Sequence, residues 1–397
     1  MLWFKSKLDS SLKHGLKNNY YKKYRVLIYC NNFKNNIEKK ILSYRGTVLH
    51  SLDNISIICA YLSSSAIARL IEFPEVKWIT RDTFCFLCAN SVESSNRVRL
   101  SEKYSLTGKG IGIALIDTGV YPHYDLINPY NRIKYFKDFI NDYKYPYDDH
   151  GHGTFIGGIL CGNGGLSKGV YKGMAPGAYL YCYKAFNSQG KAFASDILAA
   201  IDSIINQCRD YNIRVLCMPI ESYNNDFFVT ECFTKLLDKA VENNIIPVVP
   251  SGSNPSLEGS IEGIACLTNC ITVGGLDTTR SIEKYDFSSC GPFNKTLKPD
   301  LSAACVDVYS LNTNKRYISE RNGMKIYPPA LEEAYCSYSG TSAAAAYISG
   351  ICTLVLENNP NLSVKDVKAL LKASCRNIEL PRWQQGEGMV DVSKIIK

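Results

Sequence analysis

A chain of 397 residues, 46% hydrophobic and 21% charged, has ordinary globular composition and enough length for two or three folding units. It is too apolar for intrinsic disorder, and its 28 glycines and 15 prolines follow no collagen-like period. Forty-five basic against 37 acidic residues leave a formal charge of +8. The surplus gathers in the first 45 positions without an aromatic-rich recognition motif, which reads as a solvated basic arm, with a nucleic-acid surface as the minority reading, so no nucleic-acid partner is expected.

Residues 1–20 read as a basic, loosely helical arm. From Tyr24 the pattern sharpens: YRVLIYC is a strand, NNIEKKILSYRG a helix stopped at Gly46, and TVLHSL and ISIICAYL are strands about a turn at Asp53 and Asn54. SSSAIARLIEFPEV then reads as a capped helix and KWITRDTFCFL as a final strand. Strand, helix, two strands, helix, strand is the split βαβ order of a small α+β, ferredoxin-like domain, here residues 21–92. Polar SVESSNRVRLSEKYS follows, with the linker placed at 93–99 and a large domain at 100–397. That second unit alternates apolar runs with helices: GIGIALIDTG, AYLYCYKAF, ASDILAAIDSIINQC, IRVLCMPI, FTKLLDKAVENN, IIPVVPSG, CITVGGLD. Strands apolar on both faces predict an α/β fold of three layers, with a mostly parallel central sheet. In such sheets the site lies beyond the carboxyl ends of the strands, where Asp117, Glu221 and Asn254 fall.

Sixteen cysteines would spell a disulfide framework in a short secreted chain, but this chain is long. Its start, MLWFKSKLDSSLKHGLKNNYYKK, lacks the apolar core and small-residue cleavage site of a signal peptide, so a reducing cytoplasm with free thiols is expected. The weakly polar stretch 342–356 is shorter than the roughly 20 residues of a bilayer span and reads as a buried helix, so no membrane segment is expected.

Of five histidines, only His123, His150 and His152 lie in the large domain. His152 sits in DDHGHGTFIGG, where glycines let a loop turn tightly into a helix, and is the candidate base. SYSGTSAAAAYISG presents Ser342 after a Gly-Thr turn at the start of an Ala-rich helix. Serine attacks only when an imidazole takes its proton, and that imidazole needs a carboxylate to fix its tautomer; Asp117, closing IGIALID, supplies one. His150 is the minority choice of base, and His123 with Asp125 reads as structural. Cys85 with Cys88 and Cys266 with Cys270 lack the further ligands of a zinc site and read as thiols.

DTG, HGT and GTSxA in that order, with KGMAPGA at 172–178, ITVGGLD at 271–277, YDFSSCGP at 285–292 and KPDLSA at 298–303, closely resemble the subtilisin-like serine proteases, the subtilases, in particular intracellular bacterial ones. The resemblance covers nearly all of 100–397. It implies a serine endopeptidase working through an acyl-enzyme, with Asp117, His152 and Ser342 as triad and the oxyanion held by the Ser342 N–H and the Asn254 amide. Met218, Pro219, Ile220 and Glu221, with Ser251 and Gly252, would line the substrate site. Glu221 stands where relatives carry Gly in the primary pocket; it either favours basic side chains or turns to solvent, and both stay open. Asn254 follows Ser253 instead of Gly, and Ala343 and Ala346 replace the usual Met and Pro.

The loop CGNGGLSKG lacks the family's clear oxygen-ligand pattern for calcium, so no tight metal site is expected and the chemistry requires no cofactor, while a structural calcium stays open. The small domain resembles the family's propeptides, which inhibit by laying their last strand across the cleft. Residues 84–91 would then fill the substrate channel, with self-cleavage between 88 and 95. The expected partners are a peptide or protein substrate and the chain's own propeptide. The alternative is a pseudoprotease that binds peptides without turnover.

Overall fold

The computed structural model describes residues 7–18, 20–31, 34–87, 106–222, 226–293 and 296–395. The small unit runs α1 (Ser10–Lys17), β1 (Tyr24–Cys30), α2 (Lys34–Ser43), β2 (Thr47–Leu52), β3 (Ile57–Leu62), α3 (Ser64–Leu70) and β4 (Val76–Arg81). Its strands lie in the order β2-β3-β1-β4, all antiparallel, which is the split βαβ topology. Period-two alternation sorts β1 and β3 into two apolar faces. Val26, Ile28, Ile58, Ala60 and Leu62 pack with Ile37, Ile41, Ile67 and Leu70 of α2 and α3.

Two segments differ from the expectation. The supposed arm is folded from Leu8, which bridges to Ile79, and Leu12 of α1 lies in the small core. Asp9 explains the helix: it accepts the N–H groups of Ser11 (2.7 Å) and Leu12 (3.2 Å), while its second oxygen accepts Thr80 Oγ1 and the Arg81 N–H, both at 3.2 Å. The run KWITRDTFCFL is not one strand. β4 ends at Arg81, and after the corner at Asp82 and Thr83 the chain enters a different sheet as β5 (Phe84–Leu87).

The large unit contains β6 (Gly112–Asp117), α4 (Tyr124–Ile127), β7 (Ile133–Asp138), α5 (His152–Cys161), β8 (Tyr179–Lys184), β9 (Lys191–Phe193), α6 (Ala194–Gln207), β10 (Ile213–Cys217), β11 (Ile220–Glu221), α7 (Phe227–Glu242), β12 (Ile246–Pro250), β13 (Ile271–Asp277), β14 (Glu283–Lys284), β15 (Leu301–Ala304) and α8 (Thr341–Asn358). The central sheet has the order β14-β13-β12-β10-β6-β8-β7 with β15 also on β13, and only β14 is antiparallel. One apolar cluster joins one face of this sheet to α5 and α8, and another joins the opposite face to α6 and α7. This is the three-layer α/β architecture that both-face apolar strands predict. Helix α8 is buried from Thr341 to Leu356 except at Tyr347. Its small residues are required: a Cβ at Gly350 would stand 2.3 Å from Met174 Cβ.

The outer face of the small sheet is apolar because it is also core. Leu27, Leu52, Ile55, Ile57 and Cys59 belong to the same cluster as Leu198, Ile201 and Phe233 of α6 and α7. Fully burying a Leu or Ile side chain is worth roughly 1.5–3 kcal/mol, so this face contributes to docking the small unit on α6 and α7.

Beside β13 and β15 a buried ion group ties the helix Val364–Ser374 to the sheet. Lys298 Nζ donates to Asp300 Oδ2 (2.7 Å), Thr272 Oγ1 (2.9 Å) and the Cys270 carbonyl (3.2 Å), while Lys368 and Lys372 reach Asp300 Oδ1 at 3.1 and 2.8 Å. Burial pushes the Asp300 carboxyl up, but Lys298 and Lys368 outweigh it and hold the group well below the usual carboxylate range. A depressed folded pKa gives stability that is complete above the unfolded value of about 3.9 and is lost as pH falls through the folded one. In an inactive Ser342→Ala background, Asp300→Asn should therefore cost about 3–5 kcal/mol at pH 7, since it strands the buried Lys298. It should also flatten the loss of stability below pH 4. Denaturant unfolding at pH 7 and pH 3 checks both, and equal midpoints at pH 7 would show the group to be dispensable.

Candidate active site

β12, β10 and β6 are neighbours at the centre of the sheet, and the chain leaving each carries a piece of the site. Asp117 ends β6 fully buried; its carboxylate accepts from His152 Nδ1, with Oδ2 at 2.8 Å and Oδ1 at 2.9 Å. His152 opens α5 after Gly151, whose φ of 107° places it in the left-handed region open to glycine. The contact needs glycine again at position 153, where a Cβ would stand 2.0 Å from the Gly119 carbonyl oxygen and 3.1 Å from Asp117 Oδ1. Thus the Gly-bearing motifs dock backbone to backbone, and the carboxylate meets the ring.

Ser342 is the second residue of α8, and its hydroxyl donates to the Pro219 carbonyl at 3.0 Å. His152 Nε2 is buried without a hydrogen-bond partner among the described residues. The structure brings Asp117 to His152 and Ser342 to the strand at 218–221; the Ser342 hydroxyl is not bonded to the imidazole.

Met218 and Ile220 are buried, and the Met218 N–H donates to the Val248 carbonyl at 3.0 Å. Ser251 Oγ pairs with Ser288 Oγ at 3.2 Å, and the Gly252 carbonyl accepts Thr341 Oγ1 at 3.0 Å, which ties this turn to the residue before Ser342. Asn254 Nδ2 donates to the Ser260 carbonyl at 3.0 Å, leaving its second N–H for another acceptor. Glu221 does not turn to solvent. It is buried, and its two oxygens accept the Ser253 N–H and the Ser253 hydroxyl, each at 2.7 Å.

Against the strand at 220–221 runs the last strand of the small unit. β5 is the middle of a three-stranded antiparallel sheet, β11-β5-β9, with Leu87 opposite Ile220, Phe86 opposite Glu221 and Cys85 opposite Ala192.

The subtilase family matches residues 108–390. The chain belongs to the subtilase family. It is 30% identical to serine protease AprX of Bacillus subtilis (strain 168) over 343 residues, covering 83% of this chain and 76% of that one. It is also 30% identical to a subtilisin of Bacillus sp. (strain TA39) over 273 residues, covering 67% of this chain and 61% of the relative. Fervidolysin from Fervidobacterium pennivorans shares the fold with a TM-score of 0.73 at 17% identity, over 94% of this chain and 61% of fervidolysin.

Several residues that shape the site of this subtilase escaped the sequence reading. Asp148 accepts from the N–H groups of His150, Gly151 and Thr154 and from the hydroxyls of Thr118 and Thr154, at 2.6–3.0 Å. It folds the loop that delivers His152 and binds it to the Asp117 turn, where Thr118 Oγ1 also accepts the Gly153 N–H at 2.9 Å. A carboxylate shortly before a helix start was the available signal. Lys184, fully buried, donates to the Phe186 carbonyl (3.0 Å) and to Asp149 (2.6 Å); nothing in its strand distinguishes it.

The other histidines are placed apart from the pair. The His150 ring lies 6.4 Å from that of His152; burial and then the His152 charge lower its pKa. His123 is held at both ends, accepting the Asp125 N–H (3.1 Å) and meeting the Ala334 carbonyl (2.9 Å). In the loop after α5, Asp125 Oδ1 accepts the Leu166 N–H at 3.1 Å and Asn163 Oδ1 accepts the Gly165 N–H at 2.8 Å. Among the described residues no three His, Cys, Asp or Glu side chains gather as a metal cage, and no helix is long and apolar enough to cross a membrane.

Proposed function

We infer that this subtilisin-like serine endopeptidase is made as a self-inhibited zymogen in which Asp117, His152 and Ser342 form the triad. The observation that carries the reading is the position of β5, a strand of the chain's own small unit paired on both edges in the cleft beside Ser342. Asp117 fixes the His152 tautomer, with Nδ1–H to the carboxylate and Nε2 left as the base. Rotation of the Ser342 hydroxyl from Pro219 toward Nε2 completes the relay, an adjustment in keeping with the loose hydrogen bonds of resting catalytic sites. Ser342 then attacks the peptide carbonyl, His152 passes the proton to the leaving amine, and water hydrolyses the acyl-enzyme.

Processing is expected at a bond between Cys88 and Ser95. Residues 88–105, which hold this bond and the linker, lie outside the described part of the chain. The substrates are peptides or proteins, the inhibitor is the small unit itself, and the chemistry needs no cofactor. The fourteen free cysteines among the described residues support work in a reducing cytoplasm.

A fluorophosphonate probe should label Ser342 in the processed protein; absence of labelling in folded, processed material would favour a peptide-binding pseudoprotease. Asn254 is the second oxyanion donor in this reading, through the N–H not given to Ser260. Asn254→Ala should lower kcat about a hundred-fold with little change in KM, and unchanged steady-state kinetics would remove it from the oxyanion hole.

A further inference from the structure

The walls on either side of Ser342 are joined by one side chain. Glu221 leaves β11, and its carboxylate ends on the 252–253 turn, bonded to the N–H and hydroxyl of Ser253 at 2.7 Å each. Oε2 packs so closely on the turn that a Cβ at Gly252 would stand 3.3 Å from it.

Strand geometry says whose space this is. A bound strand in the β5 register puts one residue opposite Ile220 and the next opposite Pro219, whose carbonyl holds the Ser342 hydroxyl. The residue opposite Pro219 is therefore the one whose carbonyl is attacked. Residues directly opposite in an antiparallel pair share a face, and residues two apart on one strand share a face. The attacked residue and Glu221 thus project to the same side as diagonal neighbours, roughly 7–8 Å apart at Cα.

We propose that Glu221 sets the primary specificity of this protease: it clasps strand 218–221 to the 252–253 turn and restricts the attacked residue to a small, uncharged side chain such as Gly, Ala, Ser or Cys. The inference rests on the protease reading above. A large side chain entering between the walls must displace the clasp and strip a buried carboxylate of two hydrogen bonds. A basic side chain would compete with Ser253 for oxygens that are already engaged. An acidic one meets a like charge.

The test is a peptide series varied only at the attacked residue, assayed on the enzyme obtained by processing of the full chain, with fluorophosphonate labelling in parallel. Wild type should cleave after Ala, Ser or Cys with kcat/KM about ten-fold or more above Phe, Leu or Arg. Glu221→Gly should raise the Phe-to-Ala ratio by about ten- to a hundred-fold, whereas Glu221→Gln, which fills the same space, should keep the small-residue preference. Wild-type preference for Phe or Leu overturns the proposal, and needs no variant to fold. So does preference for Arg or Lys that Glu221→Gln abolishes, which would mean recognition by charge. An unchanged profile in a labelled Glu221→Gly enzyme overturns it as well. Failure of wild type to label would instead bring down the protease reading and this proposal with it.

Discussion

Ser342→Ala should remain a 397-residue chain under conditions in which the wild type is cut once near Cys88, and should lose peptide hydrolysis by about a million-fold, the size of loss known for the nucleophile of subtilisin itself. The chemistry leaves no substitute. His152 Nε2 can take a proton only from a group placed against it, and Ser342 stands at the start of α8 beside the Pro219 carbonyl. Removing one oxygen from this small residue should leave packing nearly intact, because its neighbours Ala343, Ala344 and Ala345 are already methyl-sized. Intact-mass spectrometry follows the cut and a fluorogenic peptide follows turnover. Cleavage of the variant at the wild-type rate would mean that another enzyme does the processing.

Arg25→Ala should release the small unit from the catalytic one, shortening the latent period before peptide hydrolysis by about a hundred- to a thousand-fold. Arg25 on β1 donates through Nε to Asp82 Oδ2 (2.7 Å) and Ser195 Oγ (2.9 Å), and through Nη2 to Asp196 at the start of α6. Asp196 also meets His50 Nε2 at 2.8 Å, and Asp82 Oδ1 accepts the Ser195 N–H at 3.0 Å. The guanidinium also lies 4.1 Å from the centre of the Phe193 ring on β9. An exposed ion pair would be worth about 0–1 kcal/mol, but this one is closed. Burial raises the Asp82 carboxyl, and Arg25 is the charge that opposes the rise. Removing one partner of a buried pair costs about 3–5 kcal/mol, because the remaining carboxylates must be desolvated alone. Arg25→Lys, keeping the charge without the fork, should fall between. Progress curves of hydrolysis after processing report the latent period directly, and an unchanged lag in Arg25→Ala would assign docking to the apolar face alone.

What the linear chain determines here is chemistry and layer order. DTG, HGT and GTS mark Asp117, His152 and Ser342 as candidates because glycine must stand where backbones touch, at 119 and 153 above all, and that constraint is local enough to leave a motif. Strands apolar on both faces require cover on both, so the three-layer sheet could be read in advance, as could the split βαβ order of the small unit. The folded state decided everything that depends on partners remote in sequence. Asp9 anchors α1 only because Thr80 and Arg81 arrive beside it. The run from Lys77 to Leu87 reads as one strand until two different sheets claim its halves. Glu221 could face a cation or water until Ser253 closes on it, and Asn254 lies in the expected turn with its amide drawn to Ser260. A side chain's composition fixes which bonds it can make, but a buried polar group is satisfied by whatever the fold brings within about 3 Å, and only packing settles which that is.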